Sequence, residues 1–261
     1  MDQLTDRQRK ILELIIREYV KSAQPISSKS LEESGDFSLS SATLRSEMQE
    51  LERLGYLEQP HTSAGRVPSD KAYRLFVDTI IKQEHATPAE RVRRHISTTL
   101  RQAGDDPRDI NRATAQMLSG LCNSLVITGI DEDDDFFKFG LSTLFNMPEF
   151  REFQRARQIA DMFDQFDEMF GVIARSLFAV DLPSGEAGLP AGRQGQVRIF
   201  IGRESPFRRI QDEAVIVGRY QLPHQFRGSL TVIGPTRMNY ERNLNLIQYT
   251  VEELNRIANQ M

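Results

Sequence analysis

The chain has 261 residues, 39% of them hydrophobic and 27% charged, which is enough for two domains of ordinary size with proper cores. A formal net charge of −4 excludes a chain that coats nucleic acid indiscriminately, and no apolar run approaches the roughly 18 to 20 residues of a membrane span. Cys122 is the single cysteine, so intrachain disulfides and multi-cysteine zinc sites are excluded. The charged opening MDQLTDRQRK is unlike a signal peptide, and a cytoplasmic protein without membrane contact is expected.

The apolar residues Leu4, Ile11, Leu12, Ile15 and Ile16 recur at helical spacing, with Thr5 and Gln8 as a capping box. Ser27 to Ser34 predicts a short second helix around Leu31, and Gly35 a tight turn. Ser40 caps a third helix whose Leu44, Met48, Leu51 and Leu54 line one face. Its other face presents Ser41, Arg45, Ser46, Gln49 and Arg53, and Gly55 stops it. Tyr56 to Gln59 and Gly65 to Val67 pair as short strands around a tip at Pro60 to Ala64. A further helix follows Pro68, carrying Tyr73, Phe76, Val77 and Ile80, and HATP (85–88) reads as a linker.

Two amphipathic helices are expected near 88–103 and 107–121, then a strand from Leu125 to Ile130. The acidic run Asp131 to Asp135 belongs in solvent, because buried unpaired carboxylates are too costly. One long helix is expected from about 148 to 178, with Phe150, Phe153, Ile159 and Phe163 on it. PSGEAGLPAGRQG (183–195) has too little apolar surface to offset its ordering entropy and predicts a mobile loop. VRIFIG, AVIVGRY and SLTVIG then read as strands, closed by a helix from about 239 to 257. The expected fold class is α+β: a winged helix-turn-helix domain (1–75), a connecting helix and linker (76–87), and an antiparallel sheet domain flanked by helices (88–261).

Reactive chemistry finds little support. His61 and Ser63 are two residues apart, a spacing that on an extended loop could bring a base to a nucleophile, yet no G-x-S-x-G elbow or oxyanion loop accompanies them. The four histidines are scattered, DEDDD lacks the spacing of a calcium loop, and no phosphate-cradling glycine motif occurs. Thr236 and Arg237 in GPTRM read more simply as a strand-to-helix turn than as an anion site. No enzyme activity, cofactor or metal is expected. The stronger pattern is a recognition helix followed by a wing. Ser40, Ser41 and Thr43 supply hydroxyls near its start, where free amides favour phosphate; Ser46 is a further candidate on the exposed face, and Arg45 and Gln49 lie one turn apart where they could reach base edges. On the wing, His61, Thr62, Ser63 and Arg66 are the candidate phosphate or groove contacts.

The segment LSSATLRSEMQELERLGYLEQPHTSAGRVPSDKAYRLFVD resembles the DNA-binding region of the bacterial heat-inducible transcription repressor family HrcA. GRESPFRRIQDEAVIVGRY and GSLTVIGPTRMNYERNLNLIQYT resemble its closing segment. The resemblance implies a GAF-like second domain and a dimeric repressor of chaperone operons. Such a repressor binds an inverted-repeat operator on double-stranded DNA and is kept active by chaperonin. The chain departs from that family between Ile130 and Leu144, where a short acidic connection replaces a sizeable inserted dimerisation domain. A homodimer formed through the helix at 148–178 or the adjacent sheet is therefore expected. Two rival readings remain: a GAF-like sensor of a small molecule, and a protein–protein adaptor that has lost DNA binding.

Overall fold

The computed structural model describes residues 4–35, 38–61, 64–82, 86–131, 135–164, 197–205 and 211–260. It divides into two compact units, Met1–Glu84 with Thr236–Asn239, and His85–Pro235 with Tyr240–Met261.

The first unit is built on helix α1 (Asp6–Ser22), which starts at the expected capping box: Gln8 N–H donates to Thr5 Oγ1, and Thr5 N–H to Gln8 Oε1. Ile11, Leu12, Ile15 and Ile16 are all buried, so one apolar stripe is its inner face. Helix α2 (Ser28–Glu33) is capped by Ser27 and buries Leu31. Helix α3 (Ser41–Arg53) buries Leu44, Met48 and Leu51, while Leu54 beyond it is half-buried. Strands β1 (Leu57–Glu58) and β2 (Val67–Pro68) pair antiparallel, Leu57 with Pro68 and Glu58 with Val67. The second wing strand thus begins two residues later and ends one residue later than the sequence pattern suggested. Helix α4 (Asp70–Lys82) buries Tyr73 and Val77 and belongs to this unit.

The second unit is an all-antiparallel five-stranded sheet with helices on both faces. It comprises α5 (Glu90–Gln102), α6 (Pro107–Cys122), β3 (Leu125–Ile130), β4 (Phe136–Phe139) and α7 (Leu141–Phe145). A 3₁₀ turn (Pro148–Arg151) follows, then α8 (Phe153–Asp164), β5 (Val197–Ile201), β6 (Glu213–Gln221), β7 (Arg227–Pro235) and α9 (Tyr240–Ala258). The strand order is β4-β3-β7-β6-β5. Leu125, Ile127, Phe200, Val215, Val217 and Ile233 form one apolar face, sealed by Leu144, Phe150 and Ile159. On the other face the fully buried Tyr220 hydroxyl hydrogen-bonds Asn111 Oδ1 on α6, and Thr128 Oγ1 donates to the Asn111 carbonyl at 2.9 Å.

Two expectations are corrected. The connection after Ile130 is more than an acidic turn, because Phe136–Phe139 adds an edge strand to β3. Its flanking acids are neutralised in place, Asp131 by Arg219 at 3.4 Å and Asp135 by Arg108 at 2.7 Å. The long helix expected from 148 is interrupted: Glu152 is extended (φ −72°, ψ 124°), so a 3₁₀ turn and α8 stand where one rod was expected. The continuation to 178 and the loop at 183–196 lie outside the described residues. Among the described residues no helix is long and apolar enough to cross a membrane. Cys122 ends α6 in the core, and burial pushes its thiol up to about 12.

Gly228 faces Tyr220 across the β6–β7 pair, and a Cβ there would sit 2.2 Å from the tyrosine ring. Gly228→Ala should therefore destabilise the sheet unit by about 1–3 kcal/mol through overpacking, read as a lower urea midpoint with an unchanged m-value.

Candidate nucleic-acid interface

Helix α3 is fixed from three sides. Its apolar face enters the core of the first unit through Leu44, Met48 and Leu51. Glu47, on the same buried side, accepts from Gln8 Nε2 at 3.2 Å and pairs with Arg7 at 2.5 Å, which ties the helix to the start of α1. Its C-terminus closes as a Schellman motif: Tyr56 N–H donates to Leu51 O and Gly55 N–H to Glu52 O, with Gly55 at φ +79°. The chain turns there straight into the wing.

The outer face of α3 is the surface the sequence pattern singled out. Arg45, Ser46 and Gln49 are exposed, and among the described residues nothing hydrogen-bonds or ion-pairs with Arg45 or Gln49. Arg53 is engaged differently. It grips Glu50 through two hydrogen bonds, at 2.8 and 2.6 Å, and these hold the Glu50 carboxyl below its ordinary range.

The hydroxyls near the helix start are occupied with local structure. Ser40 Oγ accepts from Thr43 N–H at 3.3 Å and lies 3.0 Å from Thr43 Oγ1, as an N-cap does. Ser41 Oγ is 3.1 Å from Ser28 Oγ on α2, and Ser41 N–H donates to the Glu32 carboxylate at 3.0 Å. A carboxylate therefore sits where a free helix N-terminus would welcome phosphate. Glu32 lies nine residues upstream, and nothing in local periodicity connects it to the cap.

The wing is likewise built from the backbone outward. Ile26, ahead of α2, forms a two-bond antiparallel bridge with Arg66, at 2.9 and 2.7 Å. The Arg66 guanidinium turns inward to Glu52 at 2.8 Å, with only 15% of its side chain exposed. Arg66 thus locks the wing against α3. At the tip, Ala64 N–H donates to His61 O at 2.8 Å and Gln59 Nε2 braces Ala64 O at 3.0 Å, leaving His61 exposed. Thr62 and Ser63 lie outside the described residues.

The candidate surface is accordingly Arg45, Ser46 and Gln49 with His61 at the wing, held by Ser40, Ser41, Thr43, Glu47 and Arg66 behind it. The supporting roles of Glu32, Glu52 and Ile26 had no signature in the sequence. Gly65 did have one, as a glycine beside the wing strand.

A family profile described as "HrcA protein C terminal domain" matches residues 71–244. A heat-inducible transcription repressor HrcA from Caldanaerobacter subterraneus subsp. tengcongensis is 28% identical, covering 97% of this chain and 97% of its own. A protein of the same name from Lachnoclostridium phytofermentans is 26% identical, covering 98% of each. The latter alignment runs over 350 positions against 261 residues here, so an internal part of that relative has no counterpart in this chain. A crystal structure titled as a hypothetical protein shares the fold, with a TM-score of 0.77, 20% identity and 99% of each chain covered.

A Cβ at Gly65 would lie 2.3 Å from the Ile26 carbonyl oxygen, a backbone atom that cannot move without breaking the bridge to Arg66. Gly65→Ala should cost about 1–3 kcal/mol in urea unfolding. The same variant should make the wing cleavable by protease while α3 stays protected.

Proposed function

The chain belongs to the HrcA family, and we propose that it represses heat-shock genes by binding an inverted-repeat operator as a homodimer, without enzymatic activity. The observation that carries this reading is the division of α3. Leu44, Met48 and Leu51 are buried on one side, while Arg45, Ser46 and Gln49 stand exposed on the other. Arg and Gln side chains one helical turn apart suit bidentate reading of guanine and adenine edges in a major groove. His61 and the wing tip, with Thr62 and Ser63, are the flanking backbone contacts in this reading. Ser40, Ser41 and Thr43 hold the helix start in place, and the Glu32 carboxylate there steers the duplex toward the middle of α3.

The first seventy residues carry more acidic than basic side chains, which does not contradict DNA binding. Glu47, Glu50 and Glu52 each pair with an arginine, which leaves Arg45 as the uncompensated charge on the outer face among the described residues. Control by chaperonin availability comes with the family resemblance and belongs to the same proposal. An inverted repeat calls for two protomers. Phe153 at the start of α8 is 78% exposed, the one large hydrophobic residue so placed among the described residues, and it supports pairing through that helix.

The test is a gel shift with the promoter region of the organism's own chaperonin operon, against competitor DNA and at two salt concentrations. Binding should be specific and weaken as salt rises. Arg45→Ala and Gln49→Ala should each cost about 1–3 kcal/mol and relax base preference at one position. Wild-type affinity in both variants would remove α3 from the interface. Phe153→Asp should convert a dimer to a monomer in analytical ultracentrifugation, and a dimer unchanged by that substitution would move the interface elsewhere.

A further inference from the structure

Helix α5 packs on α6 and α9 and buries Ile96 and Leu100 completely. Its opposite face, at about 100° per residue, carries Arg91, Arg94, His95, Thr98, Arg101 and Gln102, all of them exposed. From Arg91 to Arg101 this basic line runs about 15 Å along the helix axis. Glu90, at the edge of the face, is already engaged. Arg94 Nε donates to it at 2.7 Å and Arg93 grips its other oxygen, which holds the carboxyl below its ordinary range. At the far end Arg101 lies near Glu253, a buried carboxylate that accepts from Arg256 Nε at 2.9 Å. Each of these acids is thus shared by two guanidinium groups. Among the described residues no hydrogen bond or ion pair reaches Arg91.

Two observations set this face apart from an ordinary solvated one. Arg91, Arg93 and Arg94 fall within the first five residues of α5, where the positive end of the helix dipole disfavours cations. The local excess also runs against a chain whose net charge is −4. The neighbouring helix behaves differently, because its exposed arginines are absorbed locally. Arg108 pairs with Asp135 at 2.7 Å, and Arg112 lies over the Phe137 ring at 5.2 Å.

The chemistry of the face selects its partner. No large hydrophobic side chain is exposed on α5, so it offers neither an apolar side for a bilayer nor an aromatic anchor for a protein interface. It offers guanidinium forks in a line, with hydroxyl, amide and imidazole groups between them, which suits a linear array of phosphates.

We propose that the outer face of α5 is a second, sequence-independent contact for double-stranded DNA. Arg91, Arg94 and Arg101 pair with backbone phosphates, and Thr98 and Gln102 donate between them. The inference rests on the reading of the chain as a DNA-binding repressor and adds a contact outside the helix-turn-helix. This face holds the protein on duplex of any sequence, while α3 selects the operator.

The test is fluorescence anisotropy of the full chain on two duplexes of equal length, over a range of sodium chloride concentrations. One duplex carries the organism's own chaperonin promoter and the other a random sequence. The double substitution Arg91→Gln and Arg94→Gln should weaken both by the same factor, about tenfold, and flatten the slope of log affinity against log salt by about two. Preference for the promoter should not change. Thr98→Glu, which places a negative charge in the middle of the exposed face, should also weaken both duplexes equally. Affinities and salt slopes unchanged in these variants would overturn the contact. A loss confined to the promoter would make α5 a reader of sequence and overturn the sequence-independent assignment. Displacement of random-sequence DNA by polyglutamate as readily as by unlabelled duplex of equal charge would assign the face to acidic proteins and overturn the nucleic-acid one. If Arg45→Ala keeps the promoter preference while the α5 variants weaken both duplexes, the reading of α3 fails and the α5 contact stands.

Discussion

The backbone bridge between Ile26 and Arg66 is the constraint on which the first unit's geometry depends. It joins the chain just before α2 to the returning arm of the wing, so the two helices of the helix-turn-helix and the hairpin after them form one closed circuit. The approach is so close that a side chain at Gly65 has no room. Arg66 then spends its guanidinium on Glu52 of α3, inside the circuit. A recognition surface needs its reading side chains held by rigid elements, because small errors of placement cost affinity at every contact. Here rigidity comes from backbone pairing and a largely buried ion pair, and the exposed residues are left for a ligand.

Charge is handled in the same way. The unit is slightly acidic, which would repel a duplex if its carboxylates stood bare. Glu47 is drawn to Arg7, Glu52 to Arg66, and Glu50 to Arg53, so the acids on α3 are neutralised within the helix or behind it. The sheet unit follows the same rule. Its edge acids Asp131 and Asp135 are each answered by an arginine, Asp131 by Arg219 and Asp135 by Arg108. Net charge along the sequence does not reveal the Arg7–Glu47 and Arg66–Glu52 pairs, since their partners are far apart in the chain.

Much of the fold was legible where local physics decides it. The Thr5–Gln8 box, the Ser40 cap and the Gly55 stop sit where hydrogen-bonding side chains and left-handed backbone must sit, and β3 runs from Leu125 to Ile130 as its β-branched run suggests. What failed was long-range. Phe136–Phe139 follows an acidic run and shows no clear alternation, so its strand character comes from pairing with β3. The 148–164 stretch keeps helical periodicity through a break at Glu152 that only the backbone reveals. Of the interface, the exposed face of α3 was readable from spacing alone. The Arg66–Glu52 pair had no local signature, because the two residues are 14 apart in the chain.

One core residue has a practical consequence. The chain's single thiol, on Cys122, is buried, and burial raises it far above the range in which thiolates form at neutral pH. A maleimide fluorophore or nitroxide would therefore pass it by in the folded protein. A cysteine introduced on the wing or on the outer face of α3 would become a unique label without first removing the native one. Distances between protomers and the motion of the wing on a duplex are then open to spectroscopy in an otherwise unaltered chain.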